Sequence, residues 1–366
     1  MTGSALVIGG TGPTGPFIVN GLLARGYAVD MLHSGRNEVP EIPDAVVHIH
    51  TDAYDAAKVA DALAGRTYDV CIATYGRLRR IAEVTAGRVG RFVSVGGLPA
   101  LRGYMNPFAY EPHGLPVPAR VDAPLVTDER LDTKGYRIVQ TEQAVFEHQP
   151  EATHFRYPYV YGPRQPVPRE WLVVRRILDG RPHIVLPDGG LTLHHFGYSE
   201  NLAHAVLLAV DRPERCRGQV YNAGDAEIPT LRQVVEIVAA GLGHDWEIVD
   251  MPWELATPAR PLVTQPLPTH RVVDVWKMER DLGYADVVPP REALVRTAKW
   301  LVDNPLSPGQ ESLLQDPFDY AAEDALVAWW KGVLASRPGI AWKSEPGYGM
   351  AYSGPGGRPR SRETFE

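Results

Sequence analysis

The chain has 366 residues, 44% of them hydrophobic and 22% charged, more than one ordinary core accommodates and suited to two packed lobes. A formal net charge of -7 leaves no basic footprint for nucleic acid, and two cysteines argue against a disulfide framework or a cysteine metal site. No stretch of about 18 apolar residues runs together, so the expectation is a cytoplasmic protein with a small-molecule ligand and neither nucleic acid nor membrane as partner.

In chain order, short apolar runs at 5–8, 28–32, 46–49, 70–73 and 91–95 read as strands buried on both faces. Between them "PFIVNGLLARG", "DAAKVADALAG" and "RLRRIAEVTAG" have helical spacing and end in a glycine suited to a C-cap. Repeated βα units predict an α/β fold with a Rossmann-type doubly wound parallel sheet. Residues 96–124 are rich in proline and glycine and read as a long functional loop. A helix containing Tyr136 follows, then "HFRYPYVYGPR", then helices at "EWLVVRRILDG" and "RQVVEIVAAGLG". The predicted division is a dinucleotide-binding domain at 1–165, to which part of 194–225 returns, a smaller substrate-binding lobe at 166–305, and a helix with a Gly/Pro/Arg-rich tail at 306–366.

The strongest motif is "ALVIGGTGPTGPFIVNGLL", with Gly9, Gly12 and Gly15 directly after the first strand and opening the first helix. In that place the first glycine permits a tight turn, the second lets backbone N–H groups approach a pyrophosphate, and the third lets helix and strand pack closely. Thr11, Pro13 and Thr14 complete the turn. At the tip of the second strand "DMLHSGRNE" offers His33, Ser34 and Arg36 instead of the carboxylate that holds a ribose in NAD sites, and Asp30 falls too early in the strand. A guanidinium there favours a 2′-phosphate, so NADP is expected over NAD, with a solvated loop charge as the alternative reading of Arg36. Asp52, after the third strand, is a candidate for the adenine amino group or an exposed loop aspartate.

These residues, with "RFVSVGG", "FRYPYVYGPR", "HHFGYSENLAHAVLLAV", "GQVYNAGD" and "WKMERDLGY", resemble the extended short-chain dehydrogenase/reductases, and more narrowly the NAD-dependent epimerase/dehydratase group. The resemblance spans residues 1 to about 305. It implies cofactor contacts at Ala73, Thr74, Tyr75, Ser94, Tyr157, Pro158 and Val160, and a homodimer through a four-helix interface. It also implies a tyrosine and a lysine four residues apart on one helix, with a serine or threonine after the fifth strand. Here that tyrosine position holds Lys134 and that lysine position Ile138, while the serine position falls on Gly96 or Gly97. Tyr136 lies two residues on, about 200° around the helix. The standard pair is therefore absent.

Three readings follow: redox chemistry with a substitute proton donor (Lys134, Tyr136, or a tyrosine from elsewhere such as Tyr104, Tyr159 or Tyr161), a dinucleotide-binding sensor or scaffold without turnover, or a non-redox reaction in the same cleft. On the substrate side, Gly97, Tyr104, Tyr159, Arg169, His194 and His195 are candidates, and of the adjacent Arg175 and Arg176 one at most is a ligand. His194 and His195 point to opposite sides of a strand and lack a third partner at suitable spacing, so no metal is expected.

Overall fold

The structure is a computed structural model that describes residues 3–74, 76–263, 265 and 267–346. Its first half runs β1 (Ser4–Ile8), α1 (Gly15–Ala24), β2 (Ala28–His33), β3 (Val47–His50), α2 (Ala56–Ala62), β4 (Tyr68–Ala73), α3 (Leu78–Thr85), β5 (Val89–Gly97) and α4 (Thr133–His148). Then come β6 (Thr153–Tyr157), β7 (Tyr159–Tyr161), α5 (Trp171–Leu178), β8 (His183–Pro187), β9 (Phe196–Tyr198), α6 (Ser199–Asp211), α7 (Pro213–Cys216) and β10 (Val220–Asn222). The remainder is α8 (Leu231–Gly241), β11 (Glu247–Met251), α9 (Arg260–Val263), α10 (Trp276–Leu282), α11 (Pro290–Asp303), α12 (Pro308–Ser312) and α13 (Tyr320–Ala335).

Seven strands form one all-parallel sheet in the order β10-β6-β5-β4-β1-β2-β3. The middle of that order is the doubly wound arrangement, and the strand order reverses between β1 and β4, where such sheets open a ligand crevice. The period of two decides which helices each strand meets: Ala5 and Val7 join Val29 and Met31 under α1, whereas Leu6 and Ile8 join Leu32, Ile49 and Cys71 toward α2. The predicted strands and helices of this half are all present. α1, α2 and α3 are each followed by a left-handed glycine (Gly26, Gly65, Gly87), the expected C-terminal stop.

Residues 96–124 fold without long elements, with short 3-10 turns at Leu98–Ala100 and Pro107–Ala109. A second core lies around Trp171, Leu172, Val235, Leu294 and Leu301, flanked by the pair β8–β11. Among the described residues, those up to Phe318 pack as one compact unit and those from Asp319 as another, so residues 306–318 belong with the first. The reason is local: Leu314 and Phe318 join the second core, Arg175 binds Glu311, and Arg176 binds Asp316. Within the tail unit, Asp319 caps α13 by accepting from the Ala322 N–H. No described helix is long and apolar enough to cross a membrane.

Candidate functional site

The three glycines have three distinct local reasons. Gly9 has φ 95°, a left-handed conformation that a side chain would strain. A Cβ on Gly15 would lie 2.1 Å from the Gly10 carbonyl oxygen, so helix and turn pack with no room for one. A Cβ on Gly12 would meet only Gly9 O at 3.8 Å, so that face of the turn is open. The open face lies beside the N-terminus of α1, whose positive dipole end suits an anion. Thr74 braces the turn from β4, its hydroxyl donating to Ile8 O at 3.2 Å and Gly9 O at 3.3 Å. Thr11, Gly12 and Pro13 are half-buried and Thr14 is buried; Tyr157 donates its hydroxyl to Leu202 O at 3.2 Å beside Thr14, and Ala73 and Pro158 are buried. Tyr75 lies outside the described residues. A dinucleotide diphosphate fits this cradle, because among the described residues no side chain other than those of its chain neighbours comes within 4 Å of where a Gly12 Cβ would stand.

At the tip of β2, Ser34 and Arg36 are exposed. Asp30 is held away from them by Arg66 and the Tyr68 hydroxyl, both at 2.7 Å. His33 does not face the same way. Its ring is 5% exposed and turned toward His48, with Nε2 2.9 Å from His48 Nδ1, which corrects its place among the ribose contacts. Asp52 is exposed, and its carboxylate accepts from the Tyr54 N–H at 2.9 Å in its own turn.

α4 begins where Asp132 caps it by accepting from the Gly135 N–H at 2.7 Å. Lys134 is exposed on its first turn, and Tyr136 packs with Ala100, Val126 and Val139. Ile138 places Cδ1 3.7 Å from where a Gly97 Cβ would stand, so an apolar group faces the end of β5 where the resemblance puts a lysine. Val160, in the middle of β7, is half-buried.

The empty serine position has a physical cause. A Cβ on Gly96 would lie 2.5 Å from His154 Nε2, and that ring is held on its other side by Ser94, whose hydroxyl is 2.8 Å from Nδ1. Ser94 is fully buried in this pairing, which removes it from the cofactor contacts. Beyond His154, Glu142 of α4 receives two hydrogen bonds from Arg156 at 2.7 and 2.8 Å, both groups buried. Burial pushes the His154 imidazole down to about 4, so the ring is neutral. Installing the family serine, Gly96→Ser, is therefore expected to destabilise the fold by about 1–3 kcal/mol, measured by urea unfolding. Full stability in that variant would show that His154 yields its place.

The second cluster of polar side chains lies on the substrate side. Tyr104, in the loop after β5, places its hydroxyl 3.3 Å from His194 Nε2, and Arg169 Nη1 lies 3.2 Å from His194 Nδ1. Arg169 stacks over Tyr159 at 4.2 Å and Arg271 over Tyr104 at 5.3 Å. Arg271 is 3% exposed and donates to Gln265. Burial, with both guanidiniums nearby, drives the His194 pKa well below the imidazole range. Burial raises the Tyr104 hydroxyl and the guanidiniums pull it partly back. Two cationic forks thus lie beside a neutral imidazole and a phenol, a charge arrangement suited to phosphate oxygens.

His195 alternates to the other side, as its neighbour's position requires. It is 1% exposed, with Nε2 2.8 Å from Asp225 O and Nδ1 accepting from the Val273 N–H, so it belongs to the core and not to the substrate set. Tyr161 is likewise 1% exposed and donates to Asp225 Oδ2 at 2.8 Å; burial beside that carboxyl pushes its pKa well above 10, and its proton is held in that bond. Arg175 and Arg176 are both engaged by acids, Asp179 and Glu311 for the first and Asp316 for the second. Arg271, Asp225 and the buried Glu170 escape sequence reasoning. Arg271 sits in an irregular stretch, and its one signal, an arginine inside "THRVVDV", does not separate it from a surface charge.

Residues 133–224, about a quarter of the chain, match the model of the NAD dependent epimerase/dehydratase family. The relationship read from the sequence is met over this stretch, which holds α4, the "YGPR" segment and β10. An uncharacterized protein of Sinorhizobium fredii is 27% identical over 170 residues, 41% of this chain and 47% of that protein. The chain thus spans less than half the length of that curated relative. Among solved structures, a UDP-glucose 4-epimerase with UDP-glucose from Thermotoga maritima aligns with a TM-score of 0.66 at 18% identity, covering 82% of this chain and 99% of that one. The Bordetella bronchiseptica enzyme WbmG in complex with NAD aligns at 0.64 and 16% identity, covering 83% and 95%. The fold is therefore that of these epimerase-like proteins.

Proposed function

We propose that this chain is an NAD(P)-dependent oxidoreductase or epimerase acting on a carbinol or carbonyl carbon of a phosphorylated sugar, a sugar nucleotide above all. When bound, the dinucleotide would supply hydride exchange. The turn at Gly9–Gly15 holds its diphosphate, and Ser34 and Arg36 meet the adenosine ribose, with a 2′-phosphate favoured by the guanidinium and by the tethering of Asp30 away from it. The observation that carries the substrate side is the cluster in which Arg169 and Arg271 flank Tyr104, Tyr159 and His194. The two arginines hold phosphate oxygens and orient the sugar. Tyr104 hands over the proton, with the guanidiniums in the role that a lysine plays in the family. Family match, fold and cradle support this reading. It includes a homodimer formed through α3 and α4, and NAD as the second choice of dinucleotide.

The apolar Ile138 at the lysine position favours a second reading, binding without turnover. One experiment separates the two. NADPH binding is measured by fluorescence, and turnover by absorbance of the reduced cofactor and by product analysis over UDP- and dTDP-sugars. We expect binding and turnover, with Arg169→Ala raising KM roughly thirtyfold, about 2 kcal/mol for a lost charged hydrogen bond. Binding with no product from any sugar nucleotide would move the chain to the second reading.

A further inference from the structure

We infer that His33, Glu38, His48 and His50 form a closed four-ligand site for a borderline divalent cation, Zn2+ foremost, at the edge of the sheet. No metal is expected from the sequence, because the adjacent pair His194 and His195 draws attention and the dispersed set does not. The register assembles it. β2 and β3 run parallel with His33 opposite His50 and Met31 opposite His48, so His33, His48 and His50 share one face. The H-x-H spacing of β3 is the sequence trace of that face.

One ligand atom from each of the four residues lies within 4.8 Å of all the others. His33 Nε2 is 2.9 Å from His48 Nδ1 and 3.8 Å from Glu38 Oε1, while Glu38 lies 3.3 Å from His48 Nδ1 and 3.2 Å from His50 Nε2. A tetrahedral ion with arms of about 2.0–2.1 Å needs ligand atoms roughly 3.3 Å apart. Four of the six separations lie at 2.9–3.8 Å, around that edge, and those from His50 to His33 and His48 are within 4.8 Å, so an ion enters once the exposed His50 ring closes in by up to about 1.5 Å. The rings stand edge-on at 68–87° to one another, which aims their nitrogens inward without stacking them.

The scaffold is fixed from both sides. His33 is buried at the end of β2, the strand next to the sheet edge, and Glu38 precedes Val39, which is 8% exposed and part of the main core. Between them the loop doubles back at Gly35 (φ 73°), where a Cβ would press to 3.2 Å of the His50 ring. Three imidazoles and one carboxylate make a borderline donor set suited to Zn2+ in preference to Mg2+ or Ca2+. With four protein ligands the site is of the structural kind and keeps no position for a reacting water. Bound metal would pin loop 34–38, which carries Ser34 and Arg36, so it would also set the stiffness of the ribose end of the cradle.

The test uses full-length protein free of any histidine tag and stripped of metal. Zn2+ is titrated by calorimetry, and Co2+ is titrated by visible absorption, whose intensity distinguishes tetrahedral from octahedral ligation. We expect one equivalent per chain, a tetrahedral Co2+ spectrum, and affinity about a hundredfold weaker in His48→Ala or His50→Ala. His50 is exposed and His48 half-buried against His33, so circular dichroism without metal should match the parent in both variants and melting should match it in His50→Ala. Absence of uptake, an octahedral Co2+ spectrum, or uptake unchanged in the double variant His48→Ala/His50→Ala would overturn the site. None of these readouts depends on the cofactor or on turnover.

Discussion

Gly12→Val is expected to leave the fold intact and to weaken dinucleotide binding at least about a hundredfold, some 2.7 kcal/mol. The asymmetry comes from the space around each glycine. At Gly12 an added Cβ meets only a carbonyl oxygen at 3.8 Å, so the apo protein tolerates it, but the side chain then occupies the face where the diphosphate approaches the α1 amides. At Gly15 the same addition strikes the Gly10 backbone at 2.1 Å. Neither partner there is a side chain that can swing away, so Gly15→Ala should cost about 3 kcal/mol of stability. Thermal melting with NADPH titration checks both: the first variant melts like the parent and gains nothing from cofactor, the second melts early. Normal NADPH affinity in Gly12→Val would remove the diphosphate from this turn and the oxidoreductase reading with it.

Most of the sheet was legible because parallel strands covered on both faces read as apolar runs, and because the glycine triplet combines a turn, an approach and a packing contact within seven residues. The site was legible only where neighbours in sequence are neighbours in space. β6 illustrates the limit. Its residues His154 and Arg156 are polar at a spacing of two, the pattern of a strand with one wet face, yet all five residues of the strand are buried. The polar face is turned to α4, where Glu142 takes the Arg156 fork, and it displaces the side chain that the family keeps at Gly96. No local pattern announces a contact between β5, α4 and β6. The same holds for Arg271, which reaches Tyr104 from far along the chain, and for the histidines, which meet through strand register. Conversely, Tyr136 and Tyr161 carry the chemistry of a proton donor in the sequence, but packing and the Asp225 bond place both in structural roles.

Asp225→Asn is expected to flatten part of the pH dependence of stability above pH 5. The carboxyl is 2% exposed and is a hub beside the second core, accepting from the Tyr198 N–H at 2.9 Å, Asn201 at 3.0 Å and Tyr161 at 2.8 Å. Burial outweighs those donors and raises its pKa from 3.8 to about 7. Between those values the folded protein keeps a proton that the unfolded chain has released. The stability this group contributes is thus complete below pH 4 and is lost as pH rises through about 7, at up to about 1.4 kcal/mol per pH unit. Glu170, buried and raised to about 7, adds a second proton of the same sign. His154, His194 and His195 act oppositely: each pKa is lowered by burial, so their stabilisation is present above about 6.5 and falls away with acid. With contributions of both signs in one window, total stability is a poor readout, and the difference between parent and variant is the sound one. Asparagine keeps the oxygen that accepts from Tyr198 and Asn201 and turns its amide toward the Tyr161 oxygen, so the hub survives without the titration. Urea unfolding from pH 5 to 8 should show the variant gaining on the parent as pH rises and levelling above 7. A constant difference across that range would place the Asp225 proton elsewhere and leave the buried hub ionised throughout.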